Sequence, residues 1–203
     1  MEKLFRAIRH GDIAVVAALL DKNPALVAAV RKPPPKKDAG QQPLGVALKT
    51  ARYEIARLLL DRGADVDFIE APSIPGRQPV INDAVEAALV DALRLNATRT
   101  ESLALLTRML DAGADVATPH PDTQRTVLGW AVFRVWRWHK EQLTLAQVEA
   151  LTPVFQALID AGADPDAPSS EQTSVRTHLT ESGSRGQEPY ASLLPLIDGL
   201  GQP

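Results

Sequence analysis

Pairs of apolar residues recur four positions apart along most of the chain. Three copies of this pattern are Ile55-Ala56 with Leu59-Leu60, Leu105-Leu106 with Met109-Leu110, and Val154-Phe155 with Leu158-Ile159. A fourth copy, Val15-Val16 with Leu19-Leu20, lies near the N-terminus. Residues at positions i, i+1, i+4 and i+5 share one broad face of a helix. The pattern therefore predicts four amphipathic helices that each bury this face.

The tripeptide Gly-Ala-Asp follows three of these predicted helices, beginning at Gly63, Gly113 and Gly162. Glycine is the usual residue just past a helix C-terminus, because it adopts the left-handed conformation without a Cβ clash. In the fourth copy, Asn23 and Pro24 stand in place of Gly-Ala. We therefore expect three helices to end just before these glycines.

A second short helix is predicted before each amphipathic one, at 43–47, 79–84 and 126–131. Helix, turn, helix and a Gly-Ala-Asp loop together resemble the ankyrin repeat family over nearly the whole chain. The Thr-Pro-Leu-His-x-Ala opening of that family is matched best at 126–131, while Gly45, Asn82 and Gly129 stand where it has histidine. The resemblance implies an all-α fold, an ankyrin-repeat α-solenoid with projecting finger loops.

The spacing within each repeat predicts two elongated helix pairs. In the family, sixteen positions separate the opening alanine from the loop glycine, and the same spacing joins Ala47 to Gly63. Ala84 to Gly113 spans 29 positions and Ala131 to Gly162 spans 31, so these two repeats carry 13 and 15 extra residues. Two more turns on each helix of a pair absorb about fourteen residues.

The residues of these repeats fit that prediction. Segments 80–95 and 130–140 are predicted as long first helices. Capping boxes at Thr98-x-x-Glu101 and Thr144-x-x-Gln147 are predicted to begin the return helices. Pro153 is expected either to kink the second return helix or to begin a new one after Thr152.

One domain, 1–203, is predicted, with five repeats at approximately 1–30, 40–68, 76–117, 122–167 and 172–200. The first and last repeats are interpreted as caps, with Glu2, Lys3, Arg6 and Arg9 of the first turned to solvent. The last is predicted to break at 182–186 and to end on Leu193, Leu196, Ile197 and Leu200. Proline-rich loops are predicted at 32–37, 71–79 and 119–121.

Composition narrows the class of protein. Alanine (30) and leucine (26) exceed a quarter of the 203 residues, which favours helices. The chain has no cysteine and a net charge of −3, which excludes thiolate chemistry and gives no electrostatic case for nucleic acid. Without an apolar run of about 18 residues or a signal-like N-terminus, we expect a monomeric cytoplasmic protein with no membrane partner.

Catalytic and metal-binding patterns are weak. The frame 160–171 has acidic residues at calcium-loop positions, but Pro165 replaces the required glycine. The four histidines (His10, His120, His139 and His178) form no recognised motif. We therefore expect no cofactor, no metal and no catalysis, and keep an unrecognised enzyme site around His120-Pro121-Asp122 as an alternative.

The basic segment 31–37 is interpreted either as a solvated polyproline-like loop or as a contact for an acidic partner.

The most informative segment is 130–138, where all three tryptophans alternate with arginines. Tryptophan and arginine are enriched at binding hot spots, although bulk between elongated repeats would also use them. Helix geometry places Leu128, Ala131, Val132, Val135 and His139 on the inward face. Trp136 borders that face and is assigned to core packing, whereas Arg137 and Trp138 are assigned to surface recognition.

The predicted function is non-catalytic binding of another protein through a concave and finger surface. By resemblance that surface includes Arg9, Lys49, Thr50, Glu86, Phe133 and Arg134, and the full candidate set adds Arg125, Arg137 and Trp138. A general adaptor is one version of this function. A dedicated inhibitor, such as a bacterial toxin-immunity protein, is the alternative, because small ankyrin proteins are known in that role.

Overall fold

The computed structural model describes residues 1–32, 38–71, 77–169 and 173–199. Most of the predicted loops at 32–37 and 71–79, and residues Glu171 and Leu200, lie outside the described residues. The described part of the chain is helical, without a named strand, which confirms the all-α class. Its elements are α1 (Glu2–His10), α2 (Ile13–Lys22), a 3-10 helix (Pro24–Ala28), α3 (Pro43–Lys49), α4 (Tyr53–Asp61), α5 (Val80–Leu93), α6 (Arg99–Asp111), α7 (Val127–Trp138), α8 (Leu145–Asp160), α9 (Val175–Ser184) and α10 (Tyr190–Gly199).

The chain divides into two compact units, unit 1 (Met1–Ala87) and unit 2 (Ala88–Pro203). In unit 1, α1 packs against α2 and α3, and α4 packs against α2 and α3. Its core is built from the apolar faces that the sequence pattern identifies, with the 3-10 helix against α2 and α3. Fully buried members of this core are Leu4, Ile8, Leu20, Leu44, Ile55 and Leu59.

In unit 2, α8 packs against α6, α7 and α10, and α7 also packs against α9 and α10. Helices α9 and α10 pack against each other in this unit. The predicted terminal residues Leu193, Leu196 and Ile197 are buried in it. Other buried side chains of unit 2 are Leu105, Leu106, Met109, Leu128, Val135 and Phe155.

The three repeated glycines end helices as predicted. Gly63, Gly113 and Gly162 have φ of 78°, 90° and 94° just past α4, α6 and α8. Asn23 does not copy them, since its φ is −148° and the chain continues into the 3-10 helix. Only glycine adopts the left-handed conformation freely, which explains why the asparagine copy takes a different path.

The elongated helices are confirmed as well. Helices α5 to α8 have 14, 13, 12 and 16 residues, against 7 for α3 and 9 for α4. Helix α5 ends at Leu93 rather than Leu95, because Leu95 lies in the left-handed region with φ of 53°. Helix α7 ends at Trp138, two residues before the predicted end.

Of the two predicted capping boxes, the one at Thr144 is confirmed. Its hydroxyl accepts a hydrogen bond from the Gln147 backbone, and the Gln147 side chain accepts one from the Thr144 backbone. The box at Thr98 is wrong, although α6 does begin at the next residue. The Thr98 hydroxyl instead donates to the buried carboxylate of Asp91 at 2.9 Å, because a buried carboxylate needs donors.

Two further predictions from the sequence concern where α8 and α9 are interrupted. Pro153 lies inside α8, which continues as one helix, so a new helix does not begin after Thr152. Helix α9 extends into the predicted break at 182–186 and ends within it at Ser184, before Gly186 with φ of 68°.

Gly45 and Gly129 are both the third residue of their helices, α3 and α7. A Cβ on Gly45 would lie 3.1 Å from Oδ2 of Asp83. A Cβ on Gly129 would collide with Oγ of Ser169. At the position where the resembled family has histidine, each glycine therefore leaves space for a polar side chain that comes later in the chain.

Candidate functional site

Helix α7 in unit 2 carries the tryptophan-rich segment. Leu128, Ala131, Val132 and Val135 are buried, as the helical periodicity predicts. The inward placement of His139 is wrong, since α7 ends one residue earlier and His139 is its half-buried C-cap. The aromatic and arginine side chains of α7 make the contacts described next.

Five rings form an aromatic row, made of His120, Trp130, Phe133, Trp136 and Tyr190. Successive ring centroids along this row are 4.6, 5.8, 5.8 and 6.3 Å apart. The first and last contacts are stacked, with interplanar angles of 24° and 7°. Ring pairs at these separations contribute about 0.5–1.5 kcal/mol each beyond their buried area. The row thus connects the loop before α7 to the first residue of α10.

Three cationic side chains lie over the α7 rings. The Arg125 guanidinium is 4.3 Å from the Phe133 centroid, and the Lys140 ammonium is 3.1 Å from that of Trp136. Arg134 lies 4.1 Å from the Trp138 ring. At exposed sites such contacts contribute about 0.5–1 kcal/mol each. The surface of α7 consequently alternates flat apolar rings with positive charge.

A cavity of about 330 Å³ lies beside this row in unit 2. Tyr190 forms one wall, and His178 meets its ring edge-on at 4.9 Å. Burial raises the pKa of the Tyr190 phenol, and the positive charge of Arg125 opposes the rise. Ser169 also lines the cavity. Its hydroxyl oxygen accepts a hydrogen bond from the backbone N–H of Thr126 at 3.3 Å. The remaining lining residues include Gly129, Val132, Phe133, Trp136, Thr173, Ser174 and Val175.

The three tryptophans occupy three different environments. Trp130 is buried, and its Nε1 has no hydrogen-bond partner among the described residues. Trp136, assigned to the core from the sequence, is half-buried and lines the cavity. Trp138 is 39% exposed and Arg137 is exposed, which agrees with their predicted surface positions. The cluster is therefore part core and part surface.

Three of the four predicted site residues of unit 1 make polar contacts within that unit. Arg9, expected in solvent, makes a bidentate ion pair with the buried Asp38. Thr50 caps α3 by donating its hydroxyl to the Val46 carbonyl at 2.7 Å. Lys49 pairs with the buried Glu70 at 2.6 Å. Glu86 lies half-buried on α5.

Asp83 joins Lys49 and Glu70 in a buried polar cluster of unit 1. Its Oδ1 lies 3.6 Å from the Lys49 ammonium and accepts a hydrogen bond from the Gln78 side chain. Burial raises the pKa of Asp83 to about 8, although the Lys49 charge acts in the opposite direction. The negative charge of Glu70 adds to the rise. Burial therefore favours the protonated form of the Asp83 carboxyl at neutral pH.

His120, the centre of the alternative enzyme site, is only 3% exposed. Its Nδ1 accepts hydrogen bonds from the backbone of Asp122 at 3.2 Å and Thr123 at 3.4 Å. With its ring stacked on Trp130, the histidine shapes its own loop.

Among the described residues, no group of three or more His, Cys, Asp or Glu side chains could hold a metal ion. No helix in the described ranges is long and apolar enough to cross a membrane.

Sequence reasoning missed the residues that come from distant parts of the chain. Tyr190, which ends the aromatic row, lies in the segment predicted as the last repeat, and its rarity was the only signal: the chain has two tyrosines. Asp83 gave a clearer signal, since it is a charged residue inside the apolar run 80–85. Asp38 gave no signal in the sequence.

Comparison with protein-family models yields no match, and comparison with curated proteins likewise yields no similar sequence.

Proposed function

We propose that the protein is a non-catalytic module that binds another protein through α7 of unit 2. The observation that carries this proposal is the surface of α7, on which Trp138 is exposed beside Arg134 and Arg137. Exposed tryptophan offers a large rigid contact area, and arginine adds polar anchors around it. Because tryptophan and arginine together are enriched at binding hot spots, a protein partner accounts for this arrangement best.

We further propose that the helix pairs are ankyrin repeats arranged as a solenoid. The left-handed glycines after α4, α6 and α8 support this, as do the elongated helices α5 to α8 that the repeat spacing predicts. In such an arrangement α7 is the first helix of its repeat, which is the helix that contacts partners in the family that the sequence resembles.

The test compares partner capture by two matched variants of the full chain. The site variant combines Arg134→Glu, Arg137→Glu and Trp138→Ala. The control variant combines Arg94→Glu, Arg185→Glu and Leu145→Ala, which makes the same charge change at exposed positions and removes a side chain that is 74% exposed. Captured proteins are quantified by mass spectrometry, and circular dichroism checks that both variants fold.

A stoichiometric partner that binds the wild type and the control but is reduced at least tenfold on the site variant supports the proposal. Equal capture by all three chains would show that α7 is not the binding surface. Loss with both variants would show that the interaction is non-specific electrostatics.

A further inference from the structure

Unit 1 contains a second cavity, of about 500 Å³, that we call the arginine cavity because Arg6, Arg9, Arg31 and Arg52 line it. Two carboxylates, Glu2 and Asp38, also line it, so its charged residues are four positive and two negative. The whole chain carries −3. This cavity therefore concentrates positive charge in an acidic protein, which attracts and orients anionic ligands.

Two of the four arginines are already engaged. Arg9 grips the carboxylate of Asp38, with its Nε donating to Oδ2 at 2.7 Å. Arg52 donates from Nε and Nη2 to the backbone carbonyl of Arg9, at 3.1 and 2.9 Å. That carbonyl lies at the C-terminal end of α1, so Arg52 satisfies a helix end.

Arg31 differs from these two in its burial and in the hydrogen bonding of its Nε. It is 7% exposed, and its Nε has no hydrogen-bond partner among the described residues. Its backbone is held at both sides, donating to the Gln41 carbonyl at 2.9 Å and accepting from Gly40 at 2.8 Å. The Phe5 ring lies 5.8 Å from its guanidinium. A buried guanidinium with an unused donor is costly, and an anion that enters the cavity removes that cost.

The chemistry of the arginines favours a carboxylate. Their planar guanidinium fork matches two carboxylate oxygens, and the Arg9–Asp38 pair shows this geometry within the same cavity. A volume of about 500 Å³ also exceeds what one carboxylate group fills and lies in the usual range for ligand cavities. Aspartate or glutamate side chains with part of their backbone fit both the charge and the size.

We infer that the arginine cavity binds the carboxylate side chains of an acidic polypeptide segment, with Arg31 and Arg6 as its principal ligands. The inference rests on the proposed function, in that the segment belongs to a protein partner. It assigns unit 1 a contact of its own that is chemically different from the α7 surface. Exposed Arg6 supplies charge at long range, and buried Arg31 supplies the short bidentate contact.

The test measures fluorescence anisotropy of a labelled hexaglutamate peptide with the full chain. Arg31→Gln and Arg6→Gln remove the two proposed ligands, and Arg57→Gln is the control, since Arg57 is an exposed arginine of α4 outside the cavity. Hexaglutamine serves as the uncharged peptide. Inorganic phosphate is added as a competitor at constant ionic strength. Circular dichroism verifies folding, and exposed Arg6 provides a readout even if Arg31→Gln unfolds.

We expect hexaglutamate to bind at least tenfold more tightly than hexaglutamine. Both cavity variants should lose at least tenfold in affinity, and Arg57→Gln should lose less than twofold. Equal losses with Arg57→Gln would overturn the inference, because binding would then follow net charge. Displacement by millimolar phosphate would also overturn it in favour of a phosphate site. The α7 site variant should bind hexaglutamate normally, so failure of this inference and failure of the proposed function are distinguishable.

Discussion

Replacing Asp83 with asparagine should change how stability depends on pH. In the folded protein, burial raises the pKa of Asp83 to about 8, whereas an unfolded aspartate has the ordinary value of 3.8. Between these two values the folded state holds a proton on Asp83 that the unfolded state has released. A group with a raised pKa therefore costs no stability below pH 3.8, costs progressively more as the pH rises, and reaches its full cost above about pH 8.

The magnitude follows from this difference of one proton. Linkage gives a slope of about 1.4 kcal/mol per pH unit where the two states differ by a full proton, so the free energy of unfolding should fall by about 3 kcal/mol from pH 5 to pH 7 on account of Asp83. Asp83→Asn abolishes this contribution while keeping the shape and an oxygen that accepts from Gln78. The free energy of unfolding of the wild type should therefore fall by about 3 kcal/mol relative to that of Asp83→Asn between pH 5 and pH 7.

Urea unfolding followed by circular dichroism at pH 5, 6 and 7 measures this difference. Glu54→Gln is the control, because Glu54 is an exposed carboxylate of α4 in the same unit. The Glu54→Gln difference from wild type is the baseline, and the Asp83→Asn difference should change with pH by about 3 kcal/mol more. If the Asp83→Asn difference changed with pH no more than this baseline, the folded protein would carry an ionised Asp83 and the argument from burial would be refuted.

Three other changes have expected outcomes. Gly113→Ala should destabilise the folded protein by about 1 kcal/mol, since alanine is strained in the left-handed conformation. Gly199→Ala should not, because Gly199 lies in α10 and, apart from its chain neighbours and its own helix backbone, no atom of the described residues lies within 4 Å of its Cβ position; equal thermal shifts would contradict this. Thr144→Ala should cost about 1 kcal/mol in urea unfolding through loss of the cap of α8, and the absence of a cost would mean that the capping box is not formed in solution. Asp38→Asn frees Arg9 and should tighten hexaglutamate binding about threefold, whereas weaker binding in the anisotropy assay would argue against a carboxylate site.

Local interactions explain what could be predicted from the sequence. The helix ends at Gly63, Gly113 and Gly162 depend on the conformational freedom of single residues, and the cap at Thr144 depends on a partner three residues away. Both kinds of signal lie within a few positions of the feature that they predict. The buried face of α7 is equally local, since it follows from helical periodicity.

Contacts between distant positions explain what the sequence missed. Thr98 has the same local pattern as Thr144, but Asp91 competes for its hydroxyl. Arg9 has a solvent-facing pattern on α1, yet Asp38, 29 positions later, binds it. Likewise, the arginine cavity depends on Arg31, which the sequence shows only as the first residue of a basic segment. Such pairs depend on how helices pack, and no short motif encodes them.

Gly45 and Gly129 have a consequence for any attempt to redesign this chain. A histidine at either position would place a ring where Asp83 or Ser169 now lies. Each glycine is therefore coupled to a residue well beyond it in the chain, 38 positions for 45 and 83 and 40 for 129 and 169. Consensus design, which optimises each position separately, would break these pairs. In homologous chains we expect the two members of each pair to change together, a large residue at the first position accompanying a small one at the second.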